Sequence, residues 1–102
     1  MANKSFRTSA ELTDFGLAIR RWRAVHSLTA NQVAERADIS RDTLRAIENG
    51  AGTPSLVAVF AVLEVLGIQN LVTKDMDPLK TDLGRDRASQ IGKRRIHSNA
   101  LN

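Results

Sequence analysis

Between Ser9 and Val25 the apolar residues Leu12, Phe15, Ile19, Trp22 and Val25 recur at spacings of three and four, with Arg20, Arg21 and Arg23 interleaved. That period puts the apolar side chains on one stripe of an amphipathic helix. Its start is marked by Thr8 with Glu11 three residues later, the spacing of a capping box, and His26-Ser27 closes it.

The next stretch, LTANQVAERA, carries the same signals in compressed form. Thr29 is an N-cap, Gln32 answers it three residues on, and Leu28 and Val33 flank the cap as a hydrophobic staple. A short second helix runs to about Ala37. DISRDTLRAIENG then repeats the device, with Ser40 as N-cap, Ile39 and Leu44 as staple, and Gly50 past the end where a left-handed residue is needed. Asp38 lies in the intervening turn, a position where glycine would be less strained if φ is positive.

TPSLVAVFAVLEVLG reads as a fourth helix with Thr53 as N-cap, Pro54 at the first helical position and Gly67 as terminator. It has almost no polar face, which predicts the centre of a core. IQNLV, residues 68–72, predicts one further helical turn or two whose Ile68, Leu71 and Val72 either close the core or face a partner. After Thr73 the apolar periodicity fades, and a proline, two glycines and the basic run Lys93-Arg94-Arg95 predict a mobile tail. The expected organisation is therefore one all-α domain over residues 8–72 and a tail over 73–102.

At 102 residues, 42% hydrophobic and 25% charged, the chain has the mixture of a folded single domain rather than a disordered one. The absence of cysteine removes disulfides and thiolate chemistry, and no apolar run reaches the roughly 18 residues that span a bilayer. A soluble protein of the bacterial cytoplasm, with no membrane association, is expected. Net charge is +4, and most of the excess sits in the tail: residues 1–72 carry 8 Lys and Arg against 7 Asp and Glu, residues 73–102 carry 7 against 4. That charge permits an anionic partner without requiring one.

Two short helices joined by a three-residue turn form a helix-turn-helix. In the second of them Leu44 and Ile47 lie on one side, about 60° apart, while Asp42, Arg45, Ala46 and Asn49 lie on the other and Arg41 stands at the exposed first turn. Taken alone, such a face would be a solvated surface on which Asp42 serves the helix dipole and pairs with an arginine. Next to a second capped helix, a tight turn and an all-apolar helix, it predicts a rod that enters the major groove. There Arg41 can reach guanine O6 and N7 and Asp42 can reach cytosine N4, with Arg45 and Ala46 completing the base-facing set.

Residues 12–72 resemble the Xre/Cro/lambda-repressor-type helix-turn-helix family, on the strength of FGLAIRRWR, LTANQVAERADIS, RDTLRAIENG and TPSLVAVFAVLEVLG in register. The resemblance implies a five-helix lambda-repressor-like domain with the third helix in the groove. It also implies phosphate contacts from the helix ends and the loop after Gly50, carried here by Thr29, Asn31, Ser40, Thr43, Asn49 and Thr53. Arg23 and Glu48 occupy positions where the family places an ion pair tying the first helix to the third. Two positions depart from the pattern. Ala30 replaces the glutamine common at the start of the second helix, so that Asn31 or the helix N–H groups would have to supply its contact. Asp38 replaces the commonest turn glycine.

The segment MDPLKTDLGRDRASQIGKRR resembles the C-terminal stretch of HipB-like antitoxins, which implies a HipA-like kinase toxin as partner and repression of its own operon. Read without that resemblance, the tail is an ordinary charged one, or Lys93, Arg94 and Arg95 touch DNA phosphates. No nucleophile with an adjacent base, metal-ligand spacing or glycine-rich phosphate loop occurs, and His26 and His97 read as capping or solvated. An enzymatic role and a cofactor are not expected. The sequence thus predicts a homodimeric repressor on a palindromic double-stranded operator, more narrowly an antitoxin. A stand-alone repressor of the same type and a protein–protein adaptor that kept the fold are the alternatives.

Overall fold

The computed structural model describes residues 5–94, with side chains over 5–92. Regular structure among the described residues is entirely helical: α1 (Phe6–Val25), α2 (Ala30–Ala37), α3 (Arg41–Glu48), α4 (Leu56–Leu66), α5 (Gln69–Thr73), a 3-10 turn (Pro78–Lys80) and α6 (Asp82–Arg94). Five helices were expected; the described residues form six, because the segment after Thr73 forms its own. The chain divides into one unit that ends at Gln69 and a second that begins at Asn70.

Two helix starts differ from the sequence expectation. Ser5 caps α1, its hydroxyl accepting from the Thr8 N–H at 3.0 Å, so the helix begins three residues before Ser9 and Thr8 lies inside its first turn. Phe6 in that turn is 92% exposed, so no buried residue marks the extension in the apolar pattern. Ser55, not Thr53, caps α4, and Pro54 lies outside the helix. Either hydroxyl could serve, since an N-cap and a residue before proline both take extended backbone, and it is the Ser55 hydroxyl that accepts from the Ala58 N–H at 3.0 Å. The two inner helices start as the sequence predicts, at Thr29 with its complete capping box and at Ser40.

All four helices α1 to α4 end by one device, in which an N–H bonds a carbonyl five residues back around a left-handed residue. The bonds are Leu28 to Arg23, Ile39 to Ala34, Ala51 to Ala46 and Ile68 to Leu63, each 2.9 to 3.0 Å. The left-handed residues are Ser27 (φ 56°), Asp38 (φ 57°), Gly50 (φ 81°) and Gly67 (φ 72°). Asp38 therefore holds the strained conformation its position required, and Ser27 holds one that the sequence did not signal.

The core of the first unit draws on each of its long elements: Ile19 from α1, Val33, Ala34 and Ala37 from α2, Leu44 and Ile47 from α3, and Ala58, Val62, Leu63 and Leu66 from α4, with Ile68 beyond it. Each fully buried aliphatic contributes about 1.5–3 kcal/mol of burial. Val25, which the apolar stripe of α1 includes, is 71% exposed. Nor is α4 buried all round. Its inner face fills the core, while Leu56 and Val57 are 71% and 80% exposed and Phe60 and Ala61 are half-buried. Ile68 closes the core and Leu71 faces out. His26 caps a carbonyl, as one of its two expected roles: its Nε2 lies 2.8 Å from the Leu66 oxygen, and its ring stacks on Trp22.

In the second unit Thr81 caps α6 by accepting from the Gly84 N–H at 2.9 Å. Arg85 pairs with Asp82 and donates to the Leu79 carbonyl. None of residues 82–92 is buried, which is why apolar periodicity did not reveal this helix. The side chains of Lys93, Arg94 and Arg95, and His97, lie outside the described residues.

The strained C′ positions make a direct test. Asp38→Gly removes a left-handed side chain and a negative charge at the C-terminal end of α2, and should raise stability by about 0.5–1 kcal/mol in urea unfolding. Gly50→Ala should lower it by about 2–4 kcal/mol, since its φ is unfavourable and its Cβ would lie 2.8 Å from the Thr13 Cα.

Candidate nucleic-acid interface

A close backbone approach brings α1 onto the C-terminal end of α3. A Cβ at Gly16 would lie 2.3 Å from the Glu48 carbonyl oxygen and 2.7 Å from that of Ile47, so only glycine lets the two backbones meet there. Gly50 makes the same approach from the other side, against the backbone of Leu12 and Thr13.

The side chain of Glu48 then turns inward. It is 6% exposed, and Arg23 grips both its oxygens, Nε to Oε2 at 2.8 Å and Nη2 to Oε1 at 2.9 Å. The pair expected from the family resemblance is present, in the bidentate form that the guanidinium geometry favours. Hydrogen bonding to Glu48 holds the Arg23 pKa above its ordinary value and outweighs the opposing desolvation, so the arginine stays charged at any accessible pH. Arg23 also reaches the Leu28 carbonyl at 3.5 Å.

With Leu44, Ile47 and Glu48 turned inward, helical geometry sends Arg41, Asp42, Arg45 and Asn49 outward, and all four are exposed. Ala46 and Thr43 flank this face half-buried. Eight residues make a rod about 12 Å long, enough for two turns of contact. Its first turn is anchored by Ser40, whose hydroxyl accepts from the Thr43 N–H at 3.0 Å and donates to the Thr43 hydroxyl at 2.9 Å.

The structure joins several of the expected contact residues in pairs. Arg41 Nη1 donates to Asn31 Oδ1, linking the starts of α2 and α3. Asn49 Oδ1 accepts from Arg20 Nη2 at 3.3 Å. Thr29 and Ser40 mark the two helix starts, both exposed, while Thr53 stands exposed in the loop before α4 without the capping role assigned to it. Two residues of this region, Gly16 and Arg20, had no role assigned from the sequence. Gly16 was detectable as a glycine inside an otherwise strongly helical stripe, which points to close packing. Arg20 precedes Arg23 by three residues, and that spacing puts both on the side of α1 that meets α3.

Residues 14–72 match the helix-turn-helix domain family, and the chain belongs to it. The matched span starts within α1 and ends within α5. The chain is also similar to an uncharacterized HTH-type transcriptional regulator of Methanocaldococcus jannaschii, 35% identical over 51 residues that cover 50% of this chain and 77% of that protein. No solved structure matches the chain significantly.

Removing the buried carboxylate tests the α1–α3 joint. Glu48→Ala should destabilise the fold by about 2–4 kcal/mol, beyond the ±0.5 kcal/mol usual for a surface substitution, because it strands Arg23. A double-mutant cycle with Arg23→Ala, read by urea unfolding, should return a coupling energy well above the 0.2–1 kcal/mol typical of exposed pairs.

Proposed function

We propose that the protein is a DNA-binding transcriptional regulator, acting as a homodimeric repressor on a palindromic operator and not as an enzyme. The observation that carries this reading is the division of α3 into two faces. One is locked to α1 by a buried ion pair, and the other presents two arginines, an aspartate and an asparagine that no element of the described fold covers. An exposed polar face on a rod held this firmly suits base-edge recognition, where a bidentate contact is worth about 1–3 kcal/mol. The family assignment and the regulator named above support the same reading. Its place of action is then the nucleoid in the cytoplasm.

Arg41→Ala should weaken binding to the operator by about 1–3 kcal/mol and relax selectivity at one base pair per half-site, with little change on random-sequence duplex. Competition binding against single-base operator variants measures both. Equal weakening on both DNAs would make Arg41 a phosphate contact.

One recognition helix spans too few base pairs for selectivity across a genome, and a two-fold pair multiplies it. The exposed strip of α4, with Leu56 and Val57 outward, supplies apolar area that a second copy would cover. Val57→Asp should therefore yield a folded monomer by analytical ultracentrifugation, with half-site binding kept and full-site affinity reduced. The narrower role of an autoregulating antitoxin, bound by a HipA-like kinase toxin, rests on the sequence resemblance of the segment after Met76 and on the helix α6 that this segment forms. A toxin complex lost on truncation after Thr73 would support it.

A further inference from the structure

A cleft opens between α1, the start of α2 and the outer face of α3, lined by Arg20, Arg23, Ala30, Arg41, Arg45 and Glu48 among others. Four guanidinium groups surround one carboxylate. Arg23 takes the short bonds to both oxygens of that carboxylate, and its single negative charge cannot balance the other three positive charges that line the cleft. Arg20 is the less satisfied of the two arginines that bond Glu48. Its bonds to Glu48 Oε1 and Asn49 Oδ1 are long, 3.5 and 3.3 Å, and half of its side chain is open to solvent. An arginine has five N–H donors in a planar array suited to a phosphate, and these two weak contacts leave most of that array unused.

The same cleft is where a side chain is missing. Ala30 lines it at the first position of α2, and has no polar group to offer an anion. Thr29 accepts from the Gln32 N–H and Asn31 Oδ1 accepts from Arg41, so each keeps a donor, the Thr29 O–H and the Asn31 Nδ2, for an anion at the start of α2.

We propose that Arg20, from the first helix, binds a backbone phosphate of the DNA and supplies the anchor that Ala30 cannot. This rests on the DNA-binding reading given above. Asn49 holds the guanidinium at the edge of the recognition face until the duplex arrives, and the phosphate replaces the long contacts with short charge-assisted ones. Arg20 is thus a phosphate ligand, and it contributes to affinity without contributing to base selection.

The test uses a fluorescein-labelled random-sequence duplex titrated with the full-length protein at several salt concentrations. Arg20→Gln should flatten the slope of log affinity against log salt by about 0.9 per protomer, or about 1.8 for a dimer. Arg20→Lys should keep the slope, since its charge remains. Arg21→Gln removes the same charge one residue along, about 100° around α1 and outside the lining of the cleft, and should also keep it. The Arg20 Nε–H resonance of the unmodified protein gives a measurement that does not depend on any variant folding. It should shift on adding the duplex while that of Arg21 stays in place. A slope unchanged by Arg20→Gln, or a static Arg20 resonance in a protein that binds the duplex, overturns the assignment while leaving DNA binding intact. A wild-type protein that does not bind duplex at all overturns both.

Discussion

The grip of Arg23 on Glu48 is the interaction on which the rest of the first unit depends. A carboxylate this buried is tolerable only when both oxygens are paired, and Arg23 pairs both from a different helix. The contact also fixes the rotation of α3 about its own axis. Turning Glu48 inward sends Arg41, Asp42, Arg45 and Asn49 outward, because residues on an α-helix are separated by about 100°. The glycine at position 16 serves the same end through the backbone, letting α1 approach the end of α3 to within a distance no side chain permits. Recognition chemistry and structural chemistry thus share one eight-residue helix, divided between its two faces.

Helices this short do not stand alone. Nucleation costs more than two turns of hydrogen bonds return in water, so α2 and α3 exist because both ends are capped and one face is buried. The capping is thorough at every start and every end from α2 to α4, but it is not free of strain. Ser27 and Asp38 occupy left-handed backbone that glycine holds more comfortably, as it does at Gly50 and Gly67. The fold keeps that geometry because the turn at Asp38 sets the angle between α2 and α3, and with it the position of the exposed face relative to the start of α2.

Charge in this protein matters locally more than in sum. The first 72 residues are nearly neutral, with 8 basic against 7 acidic side chains, and on that count alone would show little affinity for a polyanion. Folding gathers Arg20, Arg23, Arg41 and Arg45 around one cleft and commits one acid, Glu48, chiefly to Arg23. The apolar surplus of α4 is divided in a similar way. Val62, Leu63 and Leu66 fill the core, whereas Leu56 and Val57 remain in water on the same helix.

The amino-acid sequence by itself determined the identity and order of the inner helices. Thr29 with Gln32, Ser40 and Gly50 act through atoms only a few residues apart, so their effect is local and readable without a fold. It determined the outward set on α3 as well, since periodicity alone separates Leu44 and Ile47 from Asp42 and Arg45. The pairing of Arg23 with Glu48 was legible only through family resemblance, because 25 residues separate the two. Tertiary structure decided the rest. Whether Thr53 or Ser55 caps α4 is not decided locally, since both hydroxyls are competent caps. The helix over Asp82–Arg94 leaves no periodic trace because none of residues 82–92 is buried, and its Thr81 cap has no apolar row behind it. The close approach at Gly16 and the convergence of Arg20 with Arg41 and Arg45 exist only once α1 lies across α3, since contacts between distant segments leave no periodic trace in either segment alone.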